Sequence, residues 1–172
     1  LIGSALAESR EELSSRYECV QISGVSFSGG EPFLEYDKLR EWVAWFASRY
    51  SDKYYWIYTN GLLATEKMLA DLAELGVHEI RFNMAASGYT HPQAMQNLAL
   101  AVKHLPYITV EIPSIPEDKF RVLDAVDQWC DIGVGYLNLH ELVYEPHTNS
   151  AVMSGARERG SLQDGHRFDY NP

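Results

Sequence analysis

The sequence predicts an α/β fold built on parallel strands. Five short apolar, β-branched or aromatic runs recur along the chain. Segments with helical apolar periodicity separate them, and the strand-to-strand interval of roughly 25 to 30 residues is that of a βαβ unit with its right-handed crossover.

The elements follow in order. Residues 5–17 are polar, with weak amphipathicity, and are expected to form a helix leading into the first strand, "GVSFS" (24–28). After Pro32, the residues Leu39, Trp42, Val43, Phe46 and Tyr50 recur at spacings of three and four, which gives a helix one apolar face. "YYWIY" (54–58) is the second strand; its aromatics read as sheet and core packing, since a base-stacking platform is poorly suited to an acidic protein. "ATEKMLADLAELG" sets Met68, Leu69, Leu72 and Leu75 on one face and ends at Gly76, which predicts a helix with a glycine C-cap. "EIRFNM" (79–84) is the third strand. Met95, Leu98, Ala99, Val102 and Leu105 then predict another helix, "YITVEI" (107–112) a fourth strand, and Leu123, Val126, Trp129 and Cys130 a last helix with acidic residues in its first turn. "YLNLHEL" (136–142) closes the series. Residues 1–146 form one unit, and 147–172, which lack periodicity, are expected to be a partly ordered tail.

Composition narrows the function. Lys plus Arg number 14 against 24 for Asp plus Glu, a formal net charge of -10, which argues against nucleic acid as a partner. No apolar run has membrane-spanning length and the first residues lack the basic, then long apolar pattern of a secretory signal, so no membrane association and a cytoplasmic location are expected. The two cysteines, Cys19 and Cys130, show neither disulfide nor metal-ligand spacing; Cys130 sits in an apolar pattern and reads as a small core residue.

Parallel α/β folds bind ligands at the carboxyl ends of their strands. Here those ends read Ser28-Gly29-Gly30-Glu31, Thr59-Asn60-Gly61, Asn83, Glu111 with Ser114, and Asn138 with His140 and Glu141, which suggests a polar site over an apolar interior. In "VSFSGGEPFL" the glycine pair lets a ligand approach the main chain, and Pro32 suits the first helical position. Glu31 then stands at the helix entry, where it could pair with a ligand's ammonium group. On spacing alone the same stretch is equally a tight βα turn. His140 and Glu141 with His147 could hold zinc or iron, but neighbouring strand residues face opposite ways, so no protein-bound metal is expected there. His78, His91, His104 and His166 read as solvated, and "GARERG" (155–160) as a solvated tail segment.

"VSFSGGEPFL" resembles the GGEP motif after the second strand of radical S-adenosylmethionine (SAM) enzymes, and "YTNGLL" resembles the segment after their third strand, as in pyruvate formate-lyase activating enzymes. The resemblance runs through residues 5–145 and implies a partial (β/α)6 TIM-like barrel in which Val25, Tyr55, Ile80, Val110 and Leu137 mark strands two to six. It implies that Gly29, Gly30 and Glu31 hold the SAM amino group, that Thr59 and Asn60 line the cofactor site, and that Asn83 meets the ribose or carboxylate. Glu111, Ser114, Asn138, His140 and Glu141 would face cofactor or substrate. Such a parent reductively cleaves SAM at a 4Fe-4S cluster, and the 5'-deoxyadenosyl radical abstracts hydrogen from the substrate. A glycyl-radical enzyme is the implied protein substrate, with flavodoxin or ferredoxin as electron donor.

One departure qualifies this. The family ligates its cluster through a CxxxCxxC loop after the first strand, and neither that loop nor that strand is present; two distant cysteines cannot replace three closely spaced ones. A truncated parent is expected rather than a degenerate copy, with this chain alone inactive and free of iron. Loss of the first strand would leave an exposed edge, through which the chain could dimerise unless residues 1–15 cover it. The alternative function is a non-catalytic α/β binding or scaffold module. An ordinary (β/α)8 aldolase or isomerase needs more strands, and a lysine or acid pair at their ends.

Overall fold

The structure, a computed structural model, describes residues 9–19 and 22–141, with the backbone of residues 162–163 and 167–168. Five parallel strands lie side by side in chain order: β1 (Gly24–Phe27), β2 (Tyr54–Thr59), β3 (Glu79–Phe82), β4 (Tyr107–Pro113) and β5 (Tyr136–His140). The predicted α/β class and all five strands are present. Among the described residues β1 and β5 are the two edges of an open sheet, with no barrel closure. The expected tail, with His147, His166 and 155–160, lies outside the described residues apart from a short antiparallel pair, Leu162–Gln163 with Arg167–Phe168.

Each crossover is helical. α1 (Arg10–Glu18) precedes β1, and α2 (Tyr36–Arg49), α3 (Glu66–Glu74), α4 (Pro92–His104) and α5 (Lys119–Ile132) connect successive strands. Sequential strand order with right-handed crossovers puts these connections on one face of the sheet. Starts and stops are chemical: Ser9 accepts from Glu12 N-H at 3.1 Å, Thr65 caps α3 from Met68 N-H, and α5 ends on Gly133 at φ 103°, where a left-handed residue closes the helix.

Side-chain alternation divides the sheet. Ile57, Ile80, Phe82, Ile108, Val110 and Ile112 are buried on the helix face against Leu39, Val43, Leu69, Leu72, Leu98 and Trp129. A second apolar group, Tyr17, Phe46 and Tyr55, seats α1 and α2 on β1 and β2. The other face, here called the open face, carries Tyr54, Trp56 and Tyr58 from β2, so only Tyr55 and Ile57 of the aromatic run enter the core. Gly24 is needed under that face: a Cβ there would lie 2.5 Å from the Tyr54 carbonyl and 2.9 Å from the Trp56 ring.

Three expectations need correction. Cys130 is exposed, not a core residue, and Leu123 is exposed with it. The inward stripe of α5 is Val122, Ala125, Val126, Trp129 and Ile132, so Leu123 and Cys130, seven residues apart, share the outward face. His78 is half-buried rather than solvated: its Nδ1 accepts from Tyr55 N-H at 3.2 Å and its ring stacks on Tyr54 with centroids 4.8 Å apart. His91 is exposed, as expected, and caps α4 by accepting from Gln93 N-H, while His104, partly exposed at the end of α4, lies 3.2 Å from Glu66. Among the described residues no helix is long and apolar enough to cross a membrane.

Two outcomes test this packing. Gly61 has φ 78° and a Cβ there would meet the Phe82 ring at 2.8 Å, so Gly61→Ala is expected to cost about 2 kcal/mol in urea unfolding. Asp71 accepts from Arg40 at 2.7 Å and Tyr36 at 2.6 Å, which tie α2 to α3, and the Arg40 bond, then that of Tyr36, holds its carboxyl below the ordinary value of 3.8. A depressed carboxyl stabilises the fold above its unfolded pKa and loses that contribution as pH falls through the folded one. Thermal melts from about pH 5 to about pH 2 should therefore show a smaller drop in Tm for Asp71→Asn than for the unaltered chain.

Candidate functional site at the strand ends

The carboxyl ends of five parallel strands converge at one rim. Gly29 and Gly30 follow β1 with φ of 105° and 61°, both exposed, and among the described residues, chain neighbours aside, no atom lies within 4 Å of where a Cβ would stand on either. That is main chain laid bare in a left-handed conformation that other residues adopt only with strain.

Glu31 does the reverse and turns inward. Its Oε1 accepts from Thr59 Oγ1 at 2.8 Å and Phe33 N-H at 3.1 Å, and its Oε2 accepts from Asn60 N-H at 2.8 Å. The carboxylate thus caps the turn Pro32–Glu35 that leads into α2 and fastens the loop after β1 to the loop after β2. It is committed to its own chain rather than free for a ligand's ammonium. Thr59 is buried, and its hydroxyl also accepts from Gly61 N-H at 3.0 Å, so it holds the loop from the helix side.

The second loop is fixed from two more directions. Asn60 Oδ1 accepts from Leu62 N-H at 2.9 Å, and Asn97, buried on α4, donates from Nδ2 to the Gly61 carbonyl at 2.7 Å and the Leu62 carbonyl at 3.3 Å. Asn97 escaped the sequence reading; the only signal was an amide beside Leu98 on the apolar side of a helix. Asn83 donates its N-H to the Thr59 carbonyl at 2.8 Å, and its side chain caps the turn Met84–Ser87, with Oδ1 3.4 Å from Ala86 N. Glu31, Thr59, Asn60 and Asn83 are therefore one hydrogen-bonded cluster, with Gly29 and Gly30 leading into it along the chain. The other candidates form a second group: Ser114 N-H donates to the His140 carbonyl at 2.8 Å, Glu111 is in register with Asn138, and His140 Nδ1 lies 2.9 Å from the Glu141 carbonyl.

The face below this rim is not apolar, contrary to expectation. Glu79 is buried there, its Oε1 accepting from Arg81 Nε at 2.9 Å and from the Thr109 hydroxyl, its Oε2 from Tyr54 at 3.1 Å and Arg81 Nη2 at 3.2 Å. Arg81 Nη1 donates to Tyr58 at 3.2 Å and to Glu111 Oε2 at 3.1 Å. Burial pulls the guanidinium pKa down, but the bonds and charge of Glu79, then Tyr58, outweigh it and hold Arg81 above its ordinary value. Tyr54 is raised by burial first and the Glu79 charge second. Tyr54, Glu79, Arg81 and Thr109, with Tyr107, Tyr136 and Asn138, line a cavity of about 540 Å³. The missed signal was "EIRF", where two charges alternate with two core residues.

The chain does not itself fit an iron-sulfur cluster, which needs three or four thiolates within one pocket. Cys19 caps α1 beside the β1 edge and Cys130 faces outward on α5, the crossover to the opposite edge; both are exposed. Among the described residues no three His, Cys, Asp or Glu side chains are grouped so as to hold a metal.

Comparison with known proteins gives a family. No curated protein matches the chain. Among solved structures it is similar to a 7,8-dihydropteroate synthase from Vibrio fischeri, with TM-score 0.49 and 13% identity over 87% of this chain; it spans 62% of the length of that structure. Residues 4–98, which include the glycine pair, Glu31, the Thr59-Asn60-Gly61 loop and Asn83, match the family described as "4Fe-4S single cluster domain". With more than half of its length under that pattern, the chain belongs to the 4Fe-4S single cluster domain family.

Proposed function

We propose that residues 9–141 are the nucleotide-binding part of a radical SAM enzyme, and that the rim grips the aminoacyl end of S-adenosylmethionine. The observation that carries this reading is the bare, left-handed Gly29-Gly30 main chain held beside Asn60 by the Glu31 carboxylate. Backbone carbonyls there can accept from the ligand's ammonium and N-H groups can donate to its carboxylate, while Asn83 offers its amide to the ribose side. S-adenosylmethionine, when bound, supplies a sulfonium with a cleavable carbon-sulfur bond. The two cysteines of this chain fall short of the three or four thiolates that the family's cluster takes.

The likeness of "VSFSGGEPFL" and "YTNGLL" to pyruvate formate-lyase activating enzymes supports a glycyl-radical enzyme as protein substrate, flavodoxin or ferredoxin as electron donor, and a cytoplasmic setting. A second reading, a non-catalytic binding module, is favoured by one observation, the two exposed cysteines at opposite sides of the sheet.

Titration of the ¹⁵N-labelled chain with S-adenosylmethionine is expected to shift the amides of Gly29, Gly30 and Asn60 saturably. Gly30→Val, which forces a branched side chain into φ 61°, should weaken binding about tenfold or more while the melt stays cooperative. Unchanged affinity in that variant would overturn the reading. Glu31→Gln should cost about 1–3 kcal/mol of stability, because donors from three residues lose a charged acceptor. Anaerobic reconstitution with iron and sulfide should leave the chain without a stoichiometric cluster, whereas one 4Fe-4S per chain would contradict the ligand assignment.

A further inference from the structure

The open face below the rim holds charges that the cofactor reading does not use. Four of Arg81's five N-H donors are taken: Nε and one on Nη2 by Glu79, and both on Nη1 by Tyr58 and Glu111. Two carboxylates against this one guanidinium leave the face with a net charge of -1, on a chain that is itself at -10. Glu79 has both oxygens doubly engaged, whereas Glu111 uses Oε2 alone, and its Oε1 has no hydrogen-bond partner among the described residues. Asn138, in register beside Glu111, likewise makes no side-chain hydrogen bond among them. Tyr107 and Tyr136 complete the wall with ring centroids 6.1 Å apart, both partly exposed.

We propose that this cavity of about 540 Å³, lined in part by Arg81, Asn138, Tyr107 and Tyr136, binds a protonated primary amine on a short apolar stem, with the Asn138 amide oxygen and Oε1 of Glu111, which stands beside the lining as the partner of Arg81 and the register neighbour of Asn138, accepting from the ammonium and the tyrosine rings covering the stem. The chemistry excludes the alternatives in turn. An anion meets a face of net negative charge whose one guanidinium has a single N-H left and is already paired with two carboxylates, and a neutral apolar ligand would strip water from a carboxylate oxygen without replacing it. A quaternary ammonium offers no N-H to the two free acceptors, whereas a primary ammonium offers three, along with attraction to the tyrosine faces. As a binding site this stands apart from the rim. As the substrate class of a radical enzyme it rests on the S-adenosylmethionine reading.

The test is an NMR titration of the ¹⁵N-labelled 172-residue chain with n-butylammonium, 1-butanol and acetate at neutral pH. Saturable shifts are expected at the amides of Glu111, Tyr136 and Asn138 with butylammonium only. Glu111→Gln should weaken that binding about fivefold or more by removing a charge-assisted bond. Equal shifts with butanol, tighter binding of acetate, or undiminished binding by Glu111→Gln would overturn the proposal. Should that variant fail to fold, Tyr136→Leu takes its place, since the ring is half exposed; loss of affinity supports the site and unchanged affinity overturns it. Spermidine and an Ala-Lys-Ala peptide, the latter against its norleucine analogue, separate a free amine from a protein lysine; tighter binding of either than of butylammonium supports the site and names the source, and tighter binding of neither overturns it. The same spectra keep the two readings distinct. Amine shifts without S-adenosylmethionine shifts at Gly29 and Gly30 would sink only the rim assignment, and the converse would sink only this one.

Discussion

The Glu31 carboxylate is the constraint on which the rim depends. Two consecutive glycines cost more chain entropy to order than any other pair, and in these positions they have no side chains with which to hold themselves. The fixing must come from the next residue. Glu31 supplies it by accepting from three donors of distinct origin: its own helix entry, a hydroxyl at the end of β2, and the first amide of the following loop. A charged acceptor for N-H and O-H donors is roughly twice as strong as a neutral one, and here it is half-buried, where water competes less. The adjacent Pro32 removes a donor that would otherwise need a partner at the start of the turn and presets its φ. Asn97 completes the support from α4, so that the exposed main chain rests on a well-anchored neighbour.

The division of labour between the sheet's faces explains how a small unit carries both stability and chemistry. The helix face is apolar along the central strands up to Thr59 at the rim and supplies the driving force for folding. The open face holds a buried carboxylate that would be costly alone, and pairing with Arg81, Thr109 and Tyr54 leaves neither of its oxygens unsatisfied. Arg81 in turn lies over the rings of Trp56 and Tyr58, 5.2 and 5.6 Å from their centroids, so its flat faces are covered while its edges bond. Such a network is a poor source of net stability but a strong source of shape.

Most of the scaffold was legible in the sequence because it rests on period alone. The strands at Val25, Tyr55, Ile80, Val110 and Leu137 and the helices between them lie where apolar spacing puts them. What period does not give is which side of a helix faces in when both sides carry apolar residues. Leu123 and Cys130 looked like core for that reason, and only packing chose the Val122-Ala125-Trp129 stripe instead. The rim was legible as a set of polar strand ends, yet the partners of those residues were not. Glu31 and Thr59 read as groups awaiting a ligand, and the structure joins them to each other, a contact between positions 28 residues apart that no local pattern encodes. Asn97, Glu79 and Arg81 were overlooked because a polar residue amid apolar ones reads as noise until its acceptors are known.

The strand β3 shows what this arrangement demands of the chain. Its four residues alternate Glu79, Ile80, Arg81 and Phe82, with the two charges on one side and two fully buried core groups on the other. A slip of one position against its neighbours would drive both ions into hydrocarbon and expose the isoleucine and phenylalanine to water, an error with no partial form. The ionic pair therefore acts as a locating pin, and mispaired alignments of this sheet are rejected chemically while it assembles.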